Sequence, residues 1–76
     1  DEEAVAEELQ RVILHAIELL PQDLKHALTL RELEGMSYDE IAGEMNCPIG
    51  TVRSRIFRAR EQVVQEISQK FPGTFL

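Results

Sequence analysis

At 76 residues the chain has room for one domain with a small core, because a chain of this size buries only roughly 60% of its unfolded surface. Its single cysteine, Cys47, excludes an internal disulfide, and the isolated His15 and His26 leave no Cys/His grouping with zinc spacing. A net charge of −6, from 14 acidic against 8 basic residues, argues in bulk against a nucleic-acid partner, and 5% aromatic content without tryptophan disfavours a cofactor cage.

Residues 3 to 20 carry Val5, Leu9, Val12, Ile13, Ala16, Ile17 and Leu20 at three- and four-residue intervals, the apolar face of an amphipathic helix whose other face is acidic. Pro21 breaks the run, and Pro21-Gln22-Asp23 starts a second helix with an acid near its positive end. Leu24, Ala27, Leu28, Leu30 and Leu33 follow up to Gly35 and occupy more than one arc. This helix is therefore expected to be central, or to have a partner on its second side. Ser37-Tyr38-Asp39-Glu40 fits a capping box that opens a short third helix with Ile41, Ala42 and Met45 inward. Asn46 suits the left-handed residue that closes it, and Cys47-Pro48 forces a turn. The fourth helix is predicted from about residue 49 to 67, with Val52, Ile56, Val63 and Ile67 on its buried stripe. The expected architecture is all-α, four to five helices over residues 1–71 with a long C-terminal recognition helix, followed by a loose tail over residues 72–76.

No apolar run is long enough to span a bilayer, and there is no signal peptide. With one lone thiol, the expected compartment is the cytoplasm, without direct membrane insertion. A first residue other than Met, and a helical pattern that begins almost at once, lead us to expect a piece of a longer protein.

The charge is unevenly spread. Residues 46–60 hold Arg53, Arg55, Arg58 and Arg60 and no carboxylate, so the net −6 resolves into +4 on this segment and −10 on the rest. A basic helix on an anionic body fits a nucleic-acid reader with a confined footprint. A capped short helix, a tight turn and a longer basic helix make a helix-turn-helix, a unit that lays its second helix in the DNA major groove. Ala42 is expected where the two helices cross closely. Opposite the buried stripe lie Gly50, Thr51, Ser54 and Arg58, flanked by Arg53, Arg55 and Phe57. Arg can contact guanine bidentately, Ser and Thr can bond a base or a phosphate, and an aromatic ring can rest on a thymine methyl. Gly50 and Thr51 sit at the helix N-terminus, where amides and dipole favour a phosphate oxygen. The bland reading is a solvated face; against it, no acid occupies a within-helix pairing position before Glu61.

Several stretches are similar to a known family. Leu20-Pro21, then Ala27-Leu28-Thr29-Leu30-Arg31-Glu32, then Gly35-Met36-Ser37-Tyr38-Asp39-Glu40-Ile41-Ala42 and the block from Cys47 to Arg60 resemble region 4 of bacterial sigma factors, in particular the envelope-stress type of the extracytoplasmic-function group. The resemblance covers about residues 12 to 63. It implies recognition of the upstream (minus 35) element of double-stranded promoter DNA, with docking on the β flap of core RNA polymerase. By motif position it implies base contacts from Arg53, Ser54, Phe57 and Arg58, and backbone contacts from Arg31, Tyr38, Gly50, Thr51 and Arg60. Tyr38 has a plain alternative as a helix-start packing residue, and Arg31 as the partner of a neighbouring acid. Leu14, Leu30 and Leu33 are candidates for a flap contact or for an anti-sigma factor, which commonly holds sigma factors of this type inactive; they are equally candidates for core. Region 2, which melts promoter DNA, would precede Asp1, so this chain alone is not expected to open DNA.

The nearest rival is a response-regulator output domain of the LuxR type binding operator DNA, although its recognition helix usually reads Thr-Val-Lys-x-His. A second alternative makes the acidic body the working surface of a protein-interaction module. No paired carboxylates in a cleft, phosphate loop or nucleophile elbow points to an enzyme, no cofactor is implied, and Cys47 reads as a small buried hydrophobe.

Overall fold

The computed structural model describes residues 2–73, and among them it forms four helices: α1 Glu2–Glu18, α2 Gln22–Glu32, α3 Tyr38–Met45 and α4 Ile49–Lys70. Asp1 and residues 74–76 lie outside the described residues, and with them most of the expected tail. Phe71 belongs with the domain: its amide reaches the Ile67 carbonyl at 2.7 Å and its side chain packs against the core.

Each helix boundary has a local cause. The α1 run stops at Glu18, with the Leu20 amide on the Ile17 carbonyl, because Pro21 disfavours a helical residue before it. Pro21 caps α2 without a side-chain bond, and Asp23 Oδ1 accepts the Leu24 amide at 2.9 Å. α2 ends through a Met36 amide that reaches back to the Leu30 carbonyl across Gly35 at φ 69°, a left-handed turn open to glycine at little cost. At α3 both halves of the capping box are present: Ser37 Oγ accepts the Glu40 amide at 3.1 Å and Glu40 Oε1 accepts the Ser37 amide at 2.8 Å. Asn46 closes α3 in the left-handed region at φ 53°.

The Ser37 amide that donates to it, and after that the Ser37 side chain, hold the ionised Glu40 carboxyl below its ordinary range. A carboxylate whose folded pKa is depressed contributes stability that is present above its unfolded pKa and lost as pH falls through the folded value. Melting temperature is therefore expected to fall below about pH 4.3, the ordinary glutamate value, and part of that loss should vanish in Glu40→Gln. Ser37→Ala should cost about 1 kcal/mol near neutral pH, or roughly 4 to 8 °C in Tm for a domain of this size, and somewhat less once Glu40 is protonated.

The core joins all four elements: Val12, Ala16 and Leu20 from the first helix and its exit, Leu24, Ala27 and Leu28 from α2, Ile41 from α3, and Val52, Ile56, Ala59, Val63 and Ile67 from α4. The fourth helix packs on all three others, and α2 also packs on α3. The central helix is thus α4, and of the two expectations for α2 the second holds, with α3 as a further partner beside α4. These two partners leave part of α2 open, so Leu30 is half-buried while Leu33, at 71% exposure, has no cover. At 22 residues α4 is long enough for three partners.

The C-terminal half of α1 runs antiparallel to the end of α4: Ala16 and Leu20 share a shallow groove with Gln62 and Gln69, and Val12 shares another with Lys70. The first turns of α1 extend past that end, which leaves Val5 exposed although it continues the apolar stripe. Ala42 is half-buried against the core. Ala59, which the pattern reading passed over, is fully buried. With no exposure left, a larger side chain there would have to displace its neighbours.

Candidate nucleic-acid interface

The α3–α4 turn occupies residues 46–48, held by the Cys47 amide on the Ala42 carbonyl at 3.0 Å. Pro48 then fixes the entry to α4, whose first turn has no side-chain cap and no acid. The dipole of a 22-residue helix therefore meets solvent uncompensated at this end, a suitable place for an anionic oxygen. Gly50 lies exposed here, and a Cβ built on it meets no atom within 4 Å. Nothing inside the fold demands glycine at that position; the open space lies on the outside.

Of the four residues expected to face bases, Arg53, Ser54, Phe57 and Arg58 are all exposed, Phe57 by 67%. Phe57 is thus an isolated exposed ring on the outer face of α4, not part of the core. Gly50, half-exposed Thr51, Ser54 and Arg58 line one shallow groove together with Asp23 and Leu24 of α2. The α4 residues share one face as their spacing predicts, and the structure adds a wall from α2 beside them.

The four arginines are not equivalent. Arg55 turns toward the body, with its Nε 3.7 Å from Asp23 Oδ2 and its Nη1 3.9 Å from Cys47 Sγ; it ties α4 to α2 and to the turn. Cys47 itself is half-buried, packed on the core and accepting from that guanidinium. Arg60 donates from Nε and Nη2 to one oxygen of Glu32, at 3.1 and 2.5 Å. That bond, more than anything else around it, raises the Arg60 pKa, with a smaller contribution from Tyr38. Among the described residues Arg53 and Arg58 carry no ion pair. The search for acids within α4 missed these pairings because the partners come from α2, 28 and 32 residues away in sequence.

Among the described residues Arg31 pairs with no acid. It donates to the Met36 carbonyl at 2.9 Å and lies over the Tyr38 ring, 5.0 Å from its centroid, a cation–π contact that clasps the α2–α3 turn. Tyr38 is half-buried with its ring under Arg31, near Arg60. Among the apolar candidates, Leu14 and Leu33 are exposed, whereas Leu30 packs against the core. Exposed Leu19 and Val64 were not singled out by the sequence; isolated apolar residues on a helix surface give no periodic signal. No helix among the described residues is long and apolar enough to cross a membrane, and none of them group three His, Cys, Asp or Glu as a metal site would.

The order of these parts agrees with what comparison with known proteins finds. Residues 10–63, which run from α1 through most of α4, match the family model described as sigma-70, region 4. The chain is 57% identical over 67 residues to the ECF RNA polymerase sigma-E factor of Haemophilus influenzae, an alignment that covers 88% of this chain and 35% of that protein. It is also 57% identical over 63 residues to the proteins of the same name in Salmonella typhimurium (strain LT2) and Escherichia coli (strain K12), covering 83% of this chain and 33% of each. The chain thus spans about a third of the length of these relatives, and nothing in the matches supports the LuxR-type alternative. With its capped α3, left-handed Asn46 turn and exposed arginine face all inside the matched span, the chain belongs to the sigma-70 region 4 family.

Proposed function

We propose that this chain is the promoter-recognition domain of an alternative sigma factor of the extracytoplasmic-function type, acting in the cytoplasm, with α4 in the major groove of the upstream (minus 35) element. Arg53, Ser54, Phe57 and Arg58 read bases; Gly50 and Thr51 hold a phosphate at the α4 N-terminus, and Tyr38 and Arg60 hold the backbone farther along. Arg31 acts on DNA through Tyr38, since its own donors and charge are committed to the turn. Leu14 and Leu33 offer exposed apolar contacts to the β flap of core RNA polymerase or to an anti-sigma factor, whereas the packing of Leu30 supports a core role. The reading is of a binding module with no reaction of its own. One observation carries it: the unpaired Arg53 and Arg58 stand on the exposed face of α4 beside an uncapped, acid-free first turn, in a chain of the region 4 family.

Selection from randomised duplexes at low salt tests the DNA half directly. One enriched element, bound in preference to scrambled competitor, is the expected result; no enrichment would remove the base-reading role. The anionic body repels DNA, so the chain is expected to bind weakly and with strong salt dependence. Four to six phosphate contacts give a slope of log affinity against log salt near −4 to −5. Retention of purified core RNA polymerase on the immobilised chain tests the second half, and should be lost in a Leu33→Asp variant if that face contacts the flap.

A further inference from the structure

The Glu32–Arg60 pair is poorly explained by the stability of the fold. Glu32 is the last residue of α2, at the negative end of the helix dipole, where a carboxylate is disfavoured. Among the described residues its side chain bonds only to Arg60. The two side chains are 50% and 48% exposed, a setting in which an ion pair contributes little and exchanges readily. Yet the pair consumes the Nε and Nη2 edge of the guanidinium, the edge suited to a two-point contact with a phosphate. Tyr38 also favours the charged Arg60, so a second neighbour remains beside the guanidinium when Glu32 lets go.

We propose that Glu32 is an internal competitor for phosphate: in the free domain it occupies Arg60 and must be displaced before Arg60 engages the DNA backbone. The affinity of the domain for duplex is thereby held below what its recognition helix permits. This inference rests on the promoter-binding reading of α4. It differs from a positioning role, in which the carboxylate would stay on one edge of Arg60 and aim the other at DNA; competition releases a full positive charge on binding, and positioning leaves that charge half-neutralised. The competitor is built into the tertiary structure, since it reaches α4 from a residue 28 positions earlier.

The two roles separate on one substitution. Glu32→Gln keeps the size and an acceptor oxygen but removes the charge, and should leave the melting temperature nearly unchanged. Against the selected duplex at several salt concentrations, the 76-residue chain carrying it is expected to bind about two- to fivefold more tightly at low salt. The gain should shrink as salt rises, because salt weakens the Glu32–Arg60 pair itself, while the number of phosphate contacts is the same in both chains. Glu32→Ala, which removes charge and acceptor together, should act in the same direction. In an Arg60→Ala background the gain should shrink to less than about twofold, the residue of general charge repulsion. Unchanged or weaker binding by Glu32→Gln, or a slope steeper by about 0.9 as for a charge that the carboxylate had kept half-neutralised in the complex, would overturn the competitor in favour of a positioning residue. A full gain that persisted without Arg60 would overturn it in favour of bulk charge. If the unaltered chain selects no duplex, the promoter reading falls and takes this inference with it; if it selects one and Glu32→Gln fails, only the inference falls.

Discussion

An Ile56→Ala chain should lose about 2 to 5 kcal/mol of stability. Ile56 is among the largest side chains with almost no exposure, and it sits on the helix that packs on all three others. Truncation there opens a cavity in the core that α4 shares with the other helices. A domain of this length is expected to be stable by only about 4 to 11 kcal/mol, so much of the chain's margin would go. Urea unfolding followed by circular dichroism measures the loss, and Val64→Ala on the exposed side of the same helix is the control, expected to stay within about 0.5 kcal/mol. Equal effects at the two positions would mean that α4 is not held where the structure has it. Affinity for DNA should fall with Ile56→Ala in proportion to the unfolded fraction, with base preference intact.

Arg58→Ala should show the opposite profile. The side chain is exposed and carries no ion pair, so its removal should leave the melting curve in place while weakening binding to the selected element by about 1 to 3 kcal/mol and relaxing preference at one base pair, as a lost bidentate contact would. Thr51→Ala, at the α4 N-terminus, should weaken binding to every duplex about equally, because a phosphate contact carries no sequence information. Randomised-site selection with both variants checks the distinction. An unchanged base preference in Arg58→Ala would remove it from the reading set.

The elements with a local chemical cause were legible in the sequence: the Pro21 break, the Ser37–Glu40 capping box, the left-handed Asn46 and the α4 stripe all stand where their residues put them. What escaped was set by tertiary geometry. α2 looked central because its apolar residues fill two arcs, but whether an arc is covered depends on a neighbour, and none covers Leu33 among the described residues. Val5 belongs to the stripe of α1 yet has no helix beneath it, because α1 outruns the end of α4. Ala59 gives no hydrophobic signal strong enough to mark it as buried. The exposed face of α4 was legible residue by residue, while the state of its charges was not: Arg55 and Arg60 find their acids on α2, and no spacing rule within one helix can reveal a partner on another.

The length of α4 has a mechanical consequence. Twenty-two residues make a rod of about 33 Å, gripped near its start by α2 and α3 and at its far end by α1. Tilting such a rod by about 5° about its far end carries its first turn through about 3 Å, as much as a whole hydrogen bond is long. The seam where Ala16 and Leu20 meet the last turns of α4 is therefore a lever on the direction of the other end, the end proposed to enter the groove. On the proposed reading of α4, exchanging that seam between relatives with identical reading residues should move the aim of Arg53 and Arg58 without altering a single atom of either, so that sequence preference would be partly written at the end of the molecule farthest from those residues.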